Sequence, residues 1–201
     1  MVRDKPHKVI AVVLAAGRST RMGEINKLLE TWKGRPLVSH AVDAALDCVG
    51  LCDTVVVTGH QAERIEAGVT DGVQFIHNPH YASGMASSLK TAIEWAAARE
   101  TDGVLVLLGD MPLVSSAHIG QMLTAFAKAG PRAIVQATNR GEPGNPVLLP
   151  RDLFDELLQI DGDRGARAII AAHADRVTSV EIGTAAARDF DTPEAFAEPE
   201  G

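Results

Sequence analysis

A doubly wound α/β fold, a mostly parallel sheet between two layers of helices, is the architecture this sequence predicts, and three observations predict it. Short, continuously apolar runs recur along the chain, each closed by Gly, Asp, Asn or Pro. Between them the apolar spacing lengthens to the period of a helix. The two patterns alternate through most of the 201 residues, as they do in βα units laid side by side. Continuous apolar runs belong to strands buried on both faces, which is the condition of parallel strands under two helical layers. Such sheets bind ligands in the crevice beyond the carboxyl ends of their strands, so the loops that follow strands carry the functional information.

The elements follow in order. Residues 8–16, with Val9-Ile10-Ala11-Val12-Val13-Leu14 ending at Gly17, read as a central strand. Residues 28–37 read as a short hairpin around Lys33-Gly34. Val38, Ala41, Val42, Ala45, Leu46 and Val49 then form one apolar helical stripe, behind a Pro36 suited to the first turn. Strands are expected at 54–58, 73–76, 104–108 and 133–137. Leu89, Ile93, Ala96 and Ala97 mark a second helix, and Ile119, Met122, Leu123 and Phe126 a third, capped by Ser115 or Ser116. Beyond Gly130 the pattern loosens: 141–147 reads as a loop, 151–158 and 164–172 as short helices, and 177–182 as a strand. No repeat, linker or low-complexity tract divides the chain, so residues 1–201 are expected to form one domain, with 1–7 and 198–201 flexible.

Composition narrows the function. With 26 acidic and 19 basic residues the formal charge is −7, which argues against general nucleic-acid binding. The longest apolar runs fall far short of the ~20 residues of a membrane span, and the N-terminus lacks a signal-peptide core. Neither membrane insertion nor secretion is expected, and a cytoplasmic location follows. The two cysteines, Cys48 and Cys52, are too few for a disulfide scaffold and read as reduced thiols. They stand without a histidine at zinc-ligand spacing. His77 and His80, flanking Asn78-Pro79, read as polar turn residues; His40, His60, His118 and His173 as surface or helix-face residues; Trp32 and Trp95 as packing anchors.

The loop after the first strand carries most of the chemistry. Residues 14–27 place small side chains, Gly17 and Gly23, and the cations Arg18, Arg21 and Lys27 at the ligand edge of an acidic chain. Small residues let main-chain N–H groups approach an anion, arginine grips phosphate oxygens bidentately, and lysine supplies a mobile charge. A triphosphate is the expected ligand; an ordinary solvated basic loop is the alternative. Spacing excludes the P-loop, because neither glycine is followed by Lys-Ser or Lys-Thr, and no G-x-G-x-x-G dinucleotide fingerprint is present. Asp110, directly beyond a buried strand, is placed to hold magnesium, which takes one or two carboxylates together with phosphate oxygens and water. Asp191 could supply the second carboxylate or cap a helix starting at Pro193. Asp163 could cap a helix carrying Arg164 and Arg167, and Ser83-Gly84-Met85 could open a helix whose N–H groups face an anion.

Taken as an ordered set, these segments resemble the molybdenum cofactor cytidylyltransferases. The resemblance runs through residues 14–27, Asn78-Pro79, Gly84-Met85, Ser87-Ser88-Leu89, Leu108-Gly109-Asp110-Met111-Pro112, Gly144-Asn145-Pro146-Val147-Leu148, Gly162-Asp163-Arg164-Gly165-Ala166-Arg167 and Asp189-Phe190-Asp191-Thr192-Pro193. It implies a Rossmann-like three-layer α/β/α sandwich of the nucleotidyltransferase type. It also implies Mg2+-dependent transfer of CMP from CTP to the terminal phosphate of molybdopterin, with release of pyrophosphate. By resemblance, Arg21, Lys27 and Asp110 are catalytic, and Asp110 and Asp191 hold the metal. Leu14, Ala15, Ala16, Gly17, Arg18, Arg21, Lys27, Gly84, Ser88 and Asp110 would bind nucleotide, and Asn145, Arg164 and Arg167 the acceptor. A molybdenum hydroxylase apo-enzyme is the implied recipient of the product. Guanylyltransferase relatives usually carry L-A-G-G and an aspartate before the lysine, where this chain has Leu14-Ala15-Ala16-Gly17 and Asn26. The Ala16 methyl is expected to narrow the base pocket against purines. One departure is that Ser88-Leu89 leads to Thr91-Ala92, where the family often has glycine. Transfer of another nucleotide or to another phosphorylated acceptor, and a cofactor chaperone without turnover, are the alternative functions.

Overall fold

The structure is a computed structural model that describes residues 7–18, 26–162 and 165–187. Its main sheet has seven strands: β1 (Val9–Ala15), β4 (Asp53–Thr58), β5 (Gln74–His77), β6 (Gly103–Leu108), β7 (Ile134–Asn139), β8 (Glu142–Pro150) and β9 (Val177–Glu181). They are ordered β5-β4-β1-β6-β8-β7-β9. β1 pairs in parallel with β4 and β6, β4 with β5, and β7 with β9, while β8 runs antiparallel to both of its neighbours. A separate ribbon joins β2 (Thr31–Trp32) to β3 (Arg35–Pro36), the hairpin expected around Lys33-Gly34.

The side-chain alternation of the strands builds the two outer layers. On one face Val9, Ala11, Val13 and Ala15 pack with Val38, Ala41, Val42 and Ala45 of α1 (Leu37–Leu46), Ile65 of α2 (Ala62–Ala67) and Ile119, Met122 and Phe126 of α4 (Ser116–Ala129). On the other, Ile10 and Val12 pack with Leu89, Ala92, Ile93 and Ala96 of α3 (Met85–Ala97), Phe154 and Leu157 of α5 (Phe154–Leu157), and Ile169 of α6 (Arg167–Ala172). Full burial of a large aliphatic or aromatic side chain is worth ~1.5–3 kcal/mol, so packing onto the sheet holds the four- and six-residue helices that propensity alone would not. The three-layer α/β/α sandwich is therefore as expected. Among the described residues no helix is long and apolar enough to cross a membrane.

Three local readings are corrected. Residues 141–147 are not a loop: β7 turns into β8 through Arg140 and Gly141, both at positive φ, and Glu142 already pairs with Asn139. Gly and Pro hid the strand, but each has a place there. A Cβ on Gly144 would lie 2.1 Å from the Ala186 carbonyl oxygen, so glycine lets β8 pass the following 3-10 turn, Gly183–Ala186. Helix α6 starts at Arg167 rather than 164, with no side-chain cap; Asp163 and Arg164 lie outside the described residues. The 151–158 helix divides into a 3-10 turn, Arg151–Leu153, and α5. α2 was not foreseen, because six residues with one buried side chain carry too little period to register.

Candidate active site

The carboxyl ends of β5, β4, β1 and β6 lie along one edge, and the chain leaves β1 in one direction, to β4 and β5, before returning on the other side at β6. β1 and β6 thus flank a topological switch point, the usual ligand crevice of an open α/β sheet. Two residues meet there. Lys27 opens a 3-10 turn, Lys27–Leu29, whose preceding residue Asn26 is buried and accepts the Leu28 N–H with its side-chain oxygen at 3.2 Å. Leu28 is buried beneath it, fixing the turn to the core. Asp110 follows β6 through Gly109, whose N–H donates to the Leu14 carbonyl at 3.1 Å. A Cβ on Gly109 would stand 3.2 Å from that carbonyl oxygen and 3.3 Å from Leu28 Cδ2, so glycine admits the close approach. The result is an ion pair: Lys27 Nζ donates to Asp110 Oδ2 at 2.6 Å, with both side chains 16% exposed.

Beside this pair Ala15 and Ala16 are buried, Leu14 is half-buried, and Gly17 and Arg18 are exposed at the mouth of the loop. The Ala16 methyl is packed inward, within 2.9 Å of where a Gly59 Cβ would stand. Arg21 and the rest of 19–25 lie outside the described residues, as does Asp191.

The next wall is organised by Asn78, a residue quoted in the sequence motif but given no role there. It is 1% exposed. Its Nδ2 donates to Ser87 Oγ at 2.8 Å and Ser88 Oγ at 3.0 Å, and its Oδ1 accepts the His80 N–H at 2.9 Å. Its own N–H donates to Thr58 O at 2.8 Å. One residue, through its backbone and its side chain, therefore ties the β4 and β5 ends to the first turn of α3. Gly84, at φ 111°, flanks that helix start, so Ser83-Gly84-Met85 does open a helix; the Ala86 N–H is already taken by Gly162 O at 3.0 Å. A signal existed in the sequence: an asparagine before proline at a strand end is a turn former whose side chain bonds nearby groups.

The acceptor candidates approach the same edge from two sides. β8 runs against β6, so Asn145 lies two residues beyond the Val106–Val147 pair, towards the end of β6 that leads to Asp110. Gly162 is bonded to α3, and a Cβ on Gly165 would meet Met85 Sδ at 3.4 Å, which brings the segment before the exposed Arg167 to the start of that helix. A cavity of about 490 Å³ opens there, lined by Asn78, Ser87, Lys90, Thr91, Asp161 and Gly162.

For a metal, the donor set around Lys27 and Asp110 is carboxylate oxygen. Among the described residues no group of three or more His, Cys, Asp or Glu side chains gathers, so a closed thiolate or imidazole cage is not built from them. A single carboxylate such as Asp110 could hold magnesium or manganese where phosphate oxygens and water complete the coordination. Elsewhere, Cys52 is exposed, donates Sγ–H to Val9 O at 3.2 Å, and has its thiol pushed up in pKa chiefly by partial burial. His118 has a definite task, completing a capping box with Ser115 at the start of α4. Trp32 meets His40 edge-on, and Trp95 carries the Arg99 guanidinium 3.4 Å from its ring centroid.

Residues 11–177 match the MobA-like NTP transferase domain. The chain belongs to that family. What the match shows is an NTP transferase domain, carried on the α/β/α sandwich described above. It is 32% identical over 192 residues to the bifunctional protein GlmU of Sphingopyxis alaskensis, covering 90% of this chain and 40% of that one. The chain spans less than half the length of the curated relatives it matches. Among solved structures, the Rv0371c homologue from Mycobacterium sp. strain JC1 superposes with a TM-score of 0.80 at 24% identity, covering 94% of this chain and 93% of that one. Rv0371C of Mycobacterium tuberculosis in complex with manganese gives 0.74 at 24% identity, covering 94% and 96%.

Proposed function

We propose that this MobA-like transferase moves CMP from CTP to the terminal phosphate of molybdopterin, using a divalent metal, Mg2+ in the cell. The observation that carries the reading is the Lys27–Asp110 pair at the β1/β6 switch point: one ammonium for a triphosphate beside one carboxylate for a metal. The CTP and molybdopterin assignments rest on the sequence motifs, among them Leu14-Ala15-Ala16-Gly17 and Asn26-Lys27. The manganese complex of a structural neighbour is in keeping with a divalent ion here.

A phosphate monoester is ionised near neutrality, so the acceptor oxygen attacks the α-phosphorus without a strong base. The new Pα–O bond forms as the bond to the β-phosphate oxygen breaks, and pyrophosphate leaves with the negative charge. Lys27, with Arg21 by motif, neutralises the charge growing on that leaving group, and the loop 14–18 orients the triphosphate. Asp110 and, by motif, Asp191 would hold the metal, which when bound screens the phosphate charges.

The test is a nucleotide panel. The purified protein is incubated with molybdopterin, Mg2+ and CTP, GTP, UTP or ATP in turn, and the dinucleotide and pyrophosphate are quantified. CTP-selective product, lost by about a hundredfold or more in Asp110→Asn with the fold intact, is the expected result. Selective use of GTP would overturn the base assignment, and turnover only with another phosphorylated acceptor would overturn the molybdopterin assignment. Tight dinucleotide binding without turnover would favour a chaperone.

A further inference from the structure

Tyr81 is the single tyrosine of the chain and begins a 3-10 turn, Tyr81–Ser83, between β5 and α3. The Arg18 guanidinium lies 5.5 Å from the centroid of its ring, and the His60 ring is tilted against it at 6.1 Å. Behind the ring the backbone is close: a Cβ on Gly59 would stand 2.6 Å from Tyr81 Cβ and 2.9 Å from Ala16 Cβ. The His60 N–H donates to Ala16 O at 3.2 Å. Three segments therefore converge on one side chain: the start of the loop after β1, the β4–α2 turn and the β5–α3 turn. An exposed arginine samples many rotamers, and a ring under its guanidinium favours the few in which the cation lies over the aromatic face.

We infer that Tyr81 is a positioning residue for the nucleotide, its ring holding Arg18 in the orientation that meets a triphosphate at the mouth of the 14–18 loop. The inference rests on the reading of that loop given under the proposed function. Its energy is that of a cation–π contact at an open site, so its removal weakens nucleotide binding about two- to fivefold rather than abolishing it. It also makes a conservative change harmless, because phenylalanine offers the same face.

With one tyrosine, a protein labelled with carbon-13 tyrosine gives one set of ring resonances. Arg18→Met is expected to shift them, and CTP with Mg2+ to shift them in the wild type. In binding titrations, Tyr81→Leu is expected to raise the Kd for CTP about two- to fivefold and Tyr81→Phe to leave it unchanged. Arg18→Met is expected to raise the Kd, with no further penalty from Tyr81→Leu in that background. Ring signals indifferent to Arg18→Met, or an equal penalty from Tyr81→Leu in both backgrounds, would overturn the inference, since a merely structural tyrosine acts independently of Arg18. A wild-type protein that binds no nucleoside triphosphate would overturn the functional reading beneath it. That case is recognised by ring signals that still respond to Arg18→Met.

Discussion

At the scale of single residues, the Lys27–Asp110 pair and Asn78 illustrate two different uses of polarity. Exposed ion pairs contribute little, but this one is largely withdrawn from water, so each group depends on a partner. Lys27→Met leaves the Asp110 carboxylate without its ammonium and removes the charge that would meet the pyrophosphate. Turnover is expected to fall by about a hundredfold or more, while circular dichroism and oligomeric state stay unchanged; near-normal activity in a folded Lys27→Met protein would contradict the assigned role. Asn78 works differently, as a strut that no charge rewards. Asn78→Ala orphans the buried Ser88 hydroxyl and the His80 N–H, at a cost of about 1–3 kcal/mol per group left unsatisfied. Chemical denaturation should show that loss. Because Gly84 and Ser88 sit on the turn it braces, the KM for nucleotide should rise more than kcat falls. Sequence inspection found Lys27 and Asp110 because charge at a strand end stands out. It passed over Asn78 because a buried hydrogen-bond hub looks like any turn asparagine until its partners, nine and ten residues away, are placed.

At the scale of elements, the helices with long stripes and most strands were legible, and β8 was not. α3 and α4 bury the face their spacing announced, and Ser115 proved to be the cap. α1 buries Val38, Ala41, Val42 and Ala45 but ends at Leu46, so Val49, read as the last residue of that stripe, lies beyond the helix and is fully exposed. β8 was misread because its first five residues include two prolines and a glycine. Only the distant Ala186 carbonyl explains that glycine. Gly144→Ala is accordingly expected to destabilise the protein by several kcal/mol or prevent folding, with Gly120→Ala, where a methyl meets nothing, as the neutral or mildly stabilising control. Groups at the ends of α4 and β9 contribute to the pH dependence. His118 Nδ1 accepts the Ser115 N–H, and burial lowers its pKa from the ordinary 6.5. The unfolded chain then binds that proton more readily. The stabilisation is complete above about pH 6.5 and is lost as the pH falls through the depressed value. Glu181 accepts N–H groups from Arg140, Gly141 and Gly183 and the Thr138 hydroxyl, and these bonds hold its carboxyl below the ordinary 4.5. Its contribution is complete above about pH 4.5 and is lost in stronger acid. Melting temperature should therefore decline in two stages on acidification. His118→Gln, which keeps a capping-box acceptor, should remove the stage nearer neutrality and leave the acid one.

At the scale of the molecule, the site exists because of how the chain is routed. Leaving β1 towards β4 and returning at β6 opens the crevice between them, and the two arms of the ion pair come from loops 83 residues apart. Alternating apolar runs announced the parallel sheet, and the rule for ligand crevices pointed to the edge at which Lys27 and Asp110 meet. They could not announce that β8 would be inserted between β6 and β7 to bring Asn145 to that edge, because strand order depends on long-range packing. A crevice shared by several elements links ligand binding to global stability. A nucleotide at a hundred times its dissociation constant stabilises the native state by ~2.7 kcal/mol, and in a domain of this length each kcal/mol raises the Tm by about 2–4 °C. Saturating CTP with Mg2+ should thus raise the Tm by roughly 5–11 °C by those same two relations. The protein is acidic overall, so a divalent metal held by Asp110 would matter to this shift, by screening the phosphates from that carboxylate and from each other. The shift should shrink to a few degrees or less with EDTA in place of Mg2+, and in Asp110→Asn it should be small with either. Full stabilisation by CTP in the Asp110→Asn protein would mean that the triphosphate is held elsewhere than the β1/β6 crevice.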